Sequence, residues 1–170
     1  MPNRSADLLF QLIQSLEKSE KRHFKLYITR SSGKEDLKIV RLFDILDKLP
    51  EYDEKVILKR MADLRKPQLA NLKAHLYKEL LASLRLLKTS ENVDLQLSEH
   101  LDHARLLYNK GLKQQALKIL EKAKELARAH QKLNALAQVL SLEKKIEILH
   151  ITRSTPEKTR LMARESLEIS

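Results

Sequence analysis

Residues 97–130 read LSEHLDHARLLYNKGLKQQALKILEKAKELARAH, and the way alanine and leucine recur on either side of Gly111 decides the fold. Before the glycine, apolar side chains return every three or four residues, the spacing that lines one face of an α-helix. After it, Ala116, Leu120 and Ala123 do the same. Gly111 is one of only two glycines in the chain, and a glycine just past an amphipathic run is the usual left-handed stop of a helix. The stretch therefore predicts two antiparallel helices joined at Gly111. Alanine is frequent at regular positions here, as in closely packed helical hairpins. Small side chains there let the axes approach to about 8 to 10 Å.

Working outward, the first of these helices should run from about Val93 to Lys110 and the second from about Lys113 to Ala129. A longer one follows from about Leu133 to Ile151. Thr155-Pro156-Glu157 starts a last one, with Leu161, Met162 and Leu167 apolar.

In this register residues 97–130 resemble a tetratricopeptide repeat, a 34-residue pair of antiparallel helices. Ala104 falls on the small position of the first helix, Ala116 and Ala123 on those of the second, and Leu120 on the large apolar position between them. The sequence departs from the pattern at His100, where a large aromatic is usual, at His103, where leucine is usual, and at Arg128, which replaces a proline. A second unit after His130 diverges, because the next position similar to Ala116 is Ala163.

The resemblance implies an α-solenoid whose concave wall is the exposed side of each first helix, here Ser98, Leu101, Arg105, Tyr108 and Asn109. Leu101, Arg105, Tyr108 and Asn109 are then the candidate peptide-binding residues: the polar pair holds a carboxylate or a peptide carbonyl, and the other two give apolar contact. It also points His103 inward and lays His100 along the hairpin seam, as packed side chains rather than metal ligands. Stacked repeats need several units and a polar cap. The expectation is accordingly a chain capped by another copy of itself or continued in a longer solenoid.

Upstream, Leu8, Leu9, Leu12, Ile13 and Leu16 make a first amphipathic helix with Ser5 as its cap. Ser19 can cap a second, carrying Phe24, Tyr27 and Ile28, which should stop at Ser31-Ser32-Gly33. A third, about Glu35 to Lys48, aligns Leu37, Val40, Phe43 and Leu46 and closes before Pro50. Asp53 caps a short fourth. Pro67 opens the longest, with Leu69, Leu72, Leu76, Leu80, Leu84 and Leu87 at helical steps, widened by Tyr77 and Leu81. That helix reads as the central strut of the first half. The polar run Thr89-Ser90-Glu91-Asn92 breaks the leucine pattern and marks a boundary. The expected fold is all-α, with an N-terminal helical bundle at 1–89 followed at 90–170 by tetratricopeptide-like antiparallel helical hairpins, the start of an α-solenoid.

Composition bounds the chemistry. With no cysteine there is no disulfide, thiolate metal site or cysteine nucleophile, and a reducing compartment, the cytoplasm, is expected. Met1 to Asp7 are polar and Leu8 to Ile13 is too short for a signal core, so no leader is expected. Two isolated glycines cannot form a phosphate-cradling loop, and no zincin, nucleophile-elbow or kinase motif occurs. Glu143 and Glu147, near Lys144 and Lys145, read as a solvated helix face. No catalytic residue, cofactor or metal is expected.

The formal charge is +10, and residues 55–88 hold nine cations against Asp63 and Glu79, so this segment carries most of the surplus. Lys59, Arg60, Arg65, Lys66 and Lys73 are the candidate contacts to phosphate or an acidic partner, in a loose helix-turn-helix reading. The functional expectation is a non-enzymatic protein or peptide interaction module. The alternative is a nucleic-acid-binding regulator in which the repeats serve dimerisation or sensing. Homo-oligomers fit both readings, and membrane attachment through the same cations is the least favoured.

Overall fold

The computed structural model describes residues 7–30 and 33–149, without the side chains of 34–36. The chain is all-α. It divides into two compact units, one up to Lys88 and the other from Thr89. The Ser5 cap and the helix expected from Thr155 lie outside the described residues.

The first unit holds α1 (Leu8–Ser15), α2 (Lys18–Thr29), α3 (Lys34–Lys48), α4 (Glu54–Arg60) and α5 (Lys66–Lys88). Asp7 caps α1, its carboxylate accepting the Phe10 N–H at 2.9 Å. Ser19 does not cap α2. The helix starts one residue earlier, and Glu20 reaches back to accept the Glu17 N–H at 2.9 Å. A carboxylate in the first turn satisfies an orphan donor and faces the positive end of the helix dipole, which leaves Ser19 inside the helix. Asp53 caps α4 as expected, accepting from Lys55 and Val56. Pro67 lies in the first turn of α5, and Gln68 there accepts the Arg65 N–H at 2.8 Å.

α3 is the central element, packed on α1, α2, α4 and α5. This corrects the reading of α5 as the strut. α3 buries Ile39, Leu42, Phe43 and Leu46, and the Phe43 ring meets Phe24 of α2 at 4.9 Å between centroids. Val40 packs half-buried at the edge of that core, whereas Leu37 is 71% exposed and off the buried face. α5 adds Leu69, Leu76 and Leu80 to the core, while Tyr77 and Leu81 remain in solvent.

The seam between α2 and α5 carries polar clips. Buried Ser83 bonds His23 Nδ1 at 2.9 Å, and Lys88 pairs with Glu20 at 3.2 Å. Tyr27 bonds Glu79, and burial first, then the carboxylate, pushes its phenol above the ordinary value. Among the described residues, no buried side-chain polar atom lacks a partner.

The second unit is an array of α6 (Val93–Asn109), α7 (Lys113–Ala129) and α8 (described at 133–149), whose first residues are twenty apart. Asn92 caps α6 by accepting from Asp94 and Leu95. Ala104, Ala116 and Ala123 are fully buried with Leu120 in the α6/α7 seam, and Val139 and Ile146 bring α8 onto the same core. Lys124 of α7 bonds Glu143 of α8 at 2.9 Å. Lys132, at the start of α8, bonds Asp94 at the start of α6 at 2.8 Å, so those two helices begin at the same end of the array.

Both turns of the array close alike. Gly111 has φ +79, the Leu112 N–H reaches Leu107 O at 2.9 Å and the Gly111 N–H reaches Tyr108 O at 2.9 Å. At the second turn Gln131 has φ +53, the Lys132 N–H reaches Ala127 O at 2.8 Å and the Gln131 N–H reaches Arg128 O at 3.1 Å. These are Schellman closures, and glycine alone enters the left-handed region without a Cβ penalty. Gln131→Gly is expected to stabilise the array by ~0.5–1 kcal/mol. Gly111→Ala, with open space around the added methyl group, is expected to destabilise it by about 1 kcal/mol through φ alone. Urea titration of both variants checks the pair; equal shifts of one sign would contradict it.

Candidate interaction surfaces

The expected wall of α6 holds two kinds of residue. Leu101 is 4% exposed and sits in the hairpin core, and Tyr108 packs against that core, half-buried. Neither lies on the open side. The reason is register: Leu97, Leu101, Ala104 and Tyr108 follow one another at three- or four-residue steps and share the seam face. Arg105 and Asn109 are exposed as expected, with Arg105 paired to Asp102 at 3.2 Å. Their apolar companion is Leu106, 60% exposed, which the sequence reading passed over. His103 is exposed rather than inward, and the half-buried His100 keeps Nδ1 2.8 Å from its own helix's Gln96 carbonyl. Among the described residues, no three His, Asp or Glu side chains gather in a group able to hold a metal.

α8 is apolar on two sides. Val139 and Ile146 face the core, but Leu133 and Leu140 are 75% and 41% exposed and, with exposed Ala137 between them, form a second stripe. At 100° per residue this stripe lies well away from the core face. Nothing in the sequence reading singled it out.

The basic segment is less uniform than its composition. Lys59 and Arg60 at the end of α4 and Arg65 before α5 are exposed. Lys66 is exposed but pairs with Glu54 at 3.3 Å. Lys73 is not a surface contact. It bonds the Asp7 carboxylate and, at 2.7 Å, the Tyr52 hydroxyl, with its ammonium 4.4 Å from the Tyr52 ring centroid. A lysine midway along α5 that is drawn into such a cluster ties the α1 cap to the α3–α4 connection. Burial alone would lower its pKa, but the bonds to Asp7 and Tyr52 outweigh burial and hold it above the usual lysine value.

No family model, curated protein or solved structure matches the chain. Among the described residues, no helix is long and apolar enough to cross a membrane.

Lys73 gives a structural prediction. A raised lysine pKa contributes stability fully below the unfolded value of 10.5 and loses it as pH rises through the folded value. Lys73→Met should therefore cost about 1–3 kcal/mol at neutral pH. The gap from wild type should shrink only above the ordinary lysine value, as followed by circular-dichroism melts across pH. A gap independent of pH would contradict the charge-based account.

Proposed function

We propose that the chain is a non-enzymatic interaction module whose C-terminal helices form the start of a tetratricopeptide-like solenoid and bind a protein or peptide. The observation that carries this reading is the second apolar stripe of α8, since exposed leucines in line on a well-packed array mark contact surfaces. Leu106 on α6, flanked by Arg105 and Asn109, offers the mixed apolar and hydrogen-bonding surface that peptide recognition uses.

The family likeness is supported by the left-handed glycine at the turn and by the alanines buried along the α6/α7 seam. Helix starts twenty residues apart make a hairpin of about 40 residues, longer than the 34 of that repeat, a spacing closer to related helical-pair repeats. The proposal therefore rests on the stripe more than on the family.

Leu133→Gln with Leu140→Gln should leave stability within about 0.5 kcal/mol, because both side chains are exposed and glutamine keeps helix propensity. The same change should abolish capture of the partner by tagged full-length protein. An unchanged set of captured proteins, or substrate turnover by the purified chain, would overturn the reading.

The second reading, nucleic-acid binding, is favoured by the exposed Lys59, Arg60 and Arg65 around the α4–α5 connection. It requires affinity that falls steeply with salt and falls further in a Lys59→Gln, Arg60→Gln, Arg65→Gln variant. With Lys73 engaged in the fold, Lys73→Met should not flatten the salt slope. Gel-shift titrations at several salt concentrations separate these outcomes.

A further inference from the structure

α3 carries a surface that the interaction reading above does not use and that shares only Arg60 with the nucleic-acid reading. On its side away from the core, Leu37, Arg41, Asp44 and Lys48 recur at steps of three or four residues, and Arg60 of α4 closes one edge. Together with Val40 and Ile45 they line a shallow groove of about 310 Å³. Leu37 to Lys48 covers about 16 Å of helix, three turns. The groove is built rather than accidental at its edge, because the Arg41 guanidinium donates to the Arg60 carbonyl at 2.6 Å and binds the end of α4 to α3.

Its chemistry is mixed. Exposed Leu37, half-buried Val40 and buried Ile45 supply apolar ground along α3. Lys48 and Arg60 add positive charge beside it. Lys48 and Arg60 are exposed, and among the described residues neither side chain has an ion-pair partner. The one carboxylate in the lining, Asp44, is already paired with Lys25 at 2.6 Å. Lys38 and Arg41 share Asp63 at 3.6 and 3.9 Å, so the Arg41 charge is already partnered. An occupant must therefore bring aliphatic side chains and anionic groups on one face.

We infer that the α3/α4 groove docks a short acidic amphipathic helix of a partner protein, with leucine-type side chains on Leu37, Val40 and Ile45 and carboxylates on Lys48 and Arg60. Helix-in-groove binding reads its ligand as anchors at i, i+3, i+4 and i+7, and three turns of α3 match that repeat. The guanidinium of Arg60 suits a bidentate carboxylate, whereas Lys48 supplies a point charge. Nucleic acid would leave Leu37, Val40 and Ile45 without a counterpart, and lipid would leave the helical spacing unused.

The test uses the full chain and a fluorescein-labelled, acetylated peptide with leucines at i, i+3 and i+4 and glutamates at i+7 and i+8. The expected result is saturable anisotropy that weakens about tenfold in Lys48→Gln with Arg60→Gln, and comparably in Leu37→Gln. All three changed side chains are exposed, so melting temperatures should match wild type. A peptide with lysine in place of glutamate, titrated against the unaltered protein, should fail to bind and needs no variant to fold. Equal binding of the lysine peptide, absence of saturable binding, or unaltered affinity in the variants would overturn the assignment. So would preferential binding of a DNA duplex or anionic vesicles, or a wild-type dimer in light scattering that Leu37→Gln dissociates.

Discussion

A helix of three or four turns has little stability alone in water, so each helix of this chain is held by the apolar stripe it lays on its neighbours. That single constraint organises both units. In the first, α3 can touch four helices because Ile39, Leu42, Phe43 and Leu46 span more than one narrow row, and the tilted contact of Phe43 with Phe24 helps set where α2 crosses. In the second, three alanines and one leucine let two backbones close, and α8 joins with only Val139 and Ile146 fully buried. Apolar surface remains outside these contacts at several positions, Leu37, Leu106, Leu133 and Leu140 among them. The proposed functions begin at those positions.

Ion pairs distribute the charge rather than supply most of the stability. Lys21 and Lys25 of α2 meet Asp47 and Asp44 of α3, each at 2.6 Å, on partly exposed ground where screening keeps such pairs weak. Their effect is selective: they remove cations from the available surface. A segment with nine cations in its sequence thus keeps a smaller exposed set, because Lys66 faces Glu54, Lys88 faces Glu20 and Lys73 turns to Asp7 and Tyr52. Net charge read from composition overstates what an anionic partner would meet.

How much was legible follows from how local each signal is. The bounds of α7, the caps of α4 and α6 and the stop at Gly111 depend on residues within one turn, and the sequence shows them directly. The Gly111 turn left a signal, but the matching turn at Gln131 left none, since glutamine has no left-handed preference and is held there by the helices it joins. The faces of α3 and α6 were misjudged for another reason. Leucine is frequent all round both helices, so Leu37 and Leu101 fit more than one stripe, and only the neighbours choose. Lys73 was illegible because its partners lie 66 and 21 residues away.

The same ambiguity that hides the core face is itself informative about surfaces. A helix with one apolar stripe announces its packing and has no further apolar surface to offer. One with two stripes, such as α8, satisfies the fold with one and carries the other exposed, against the transfer free energy that favours covering it. Among the described residues, the α6/α7/α8 core takes Val139 and Ile146 from α8 and does not draw in Leu133 or Leu140. On α3 the restriction is sharper, because exposed Leu37 shares a groove with Lys48 and Arg60, which have no ion-pair partner among the described residues, and apolar and charge contacts together restrict the ligand in two independent ways. Exposed apolar residues alone mark a surface; apolar residues and charges in helical register specify what can occupy it.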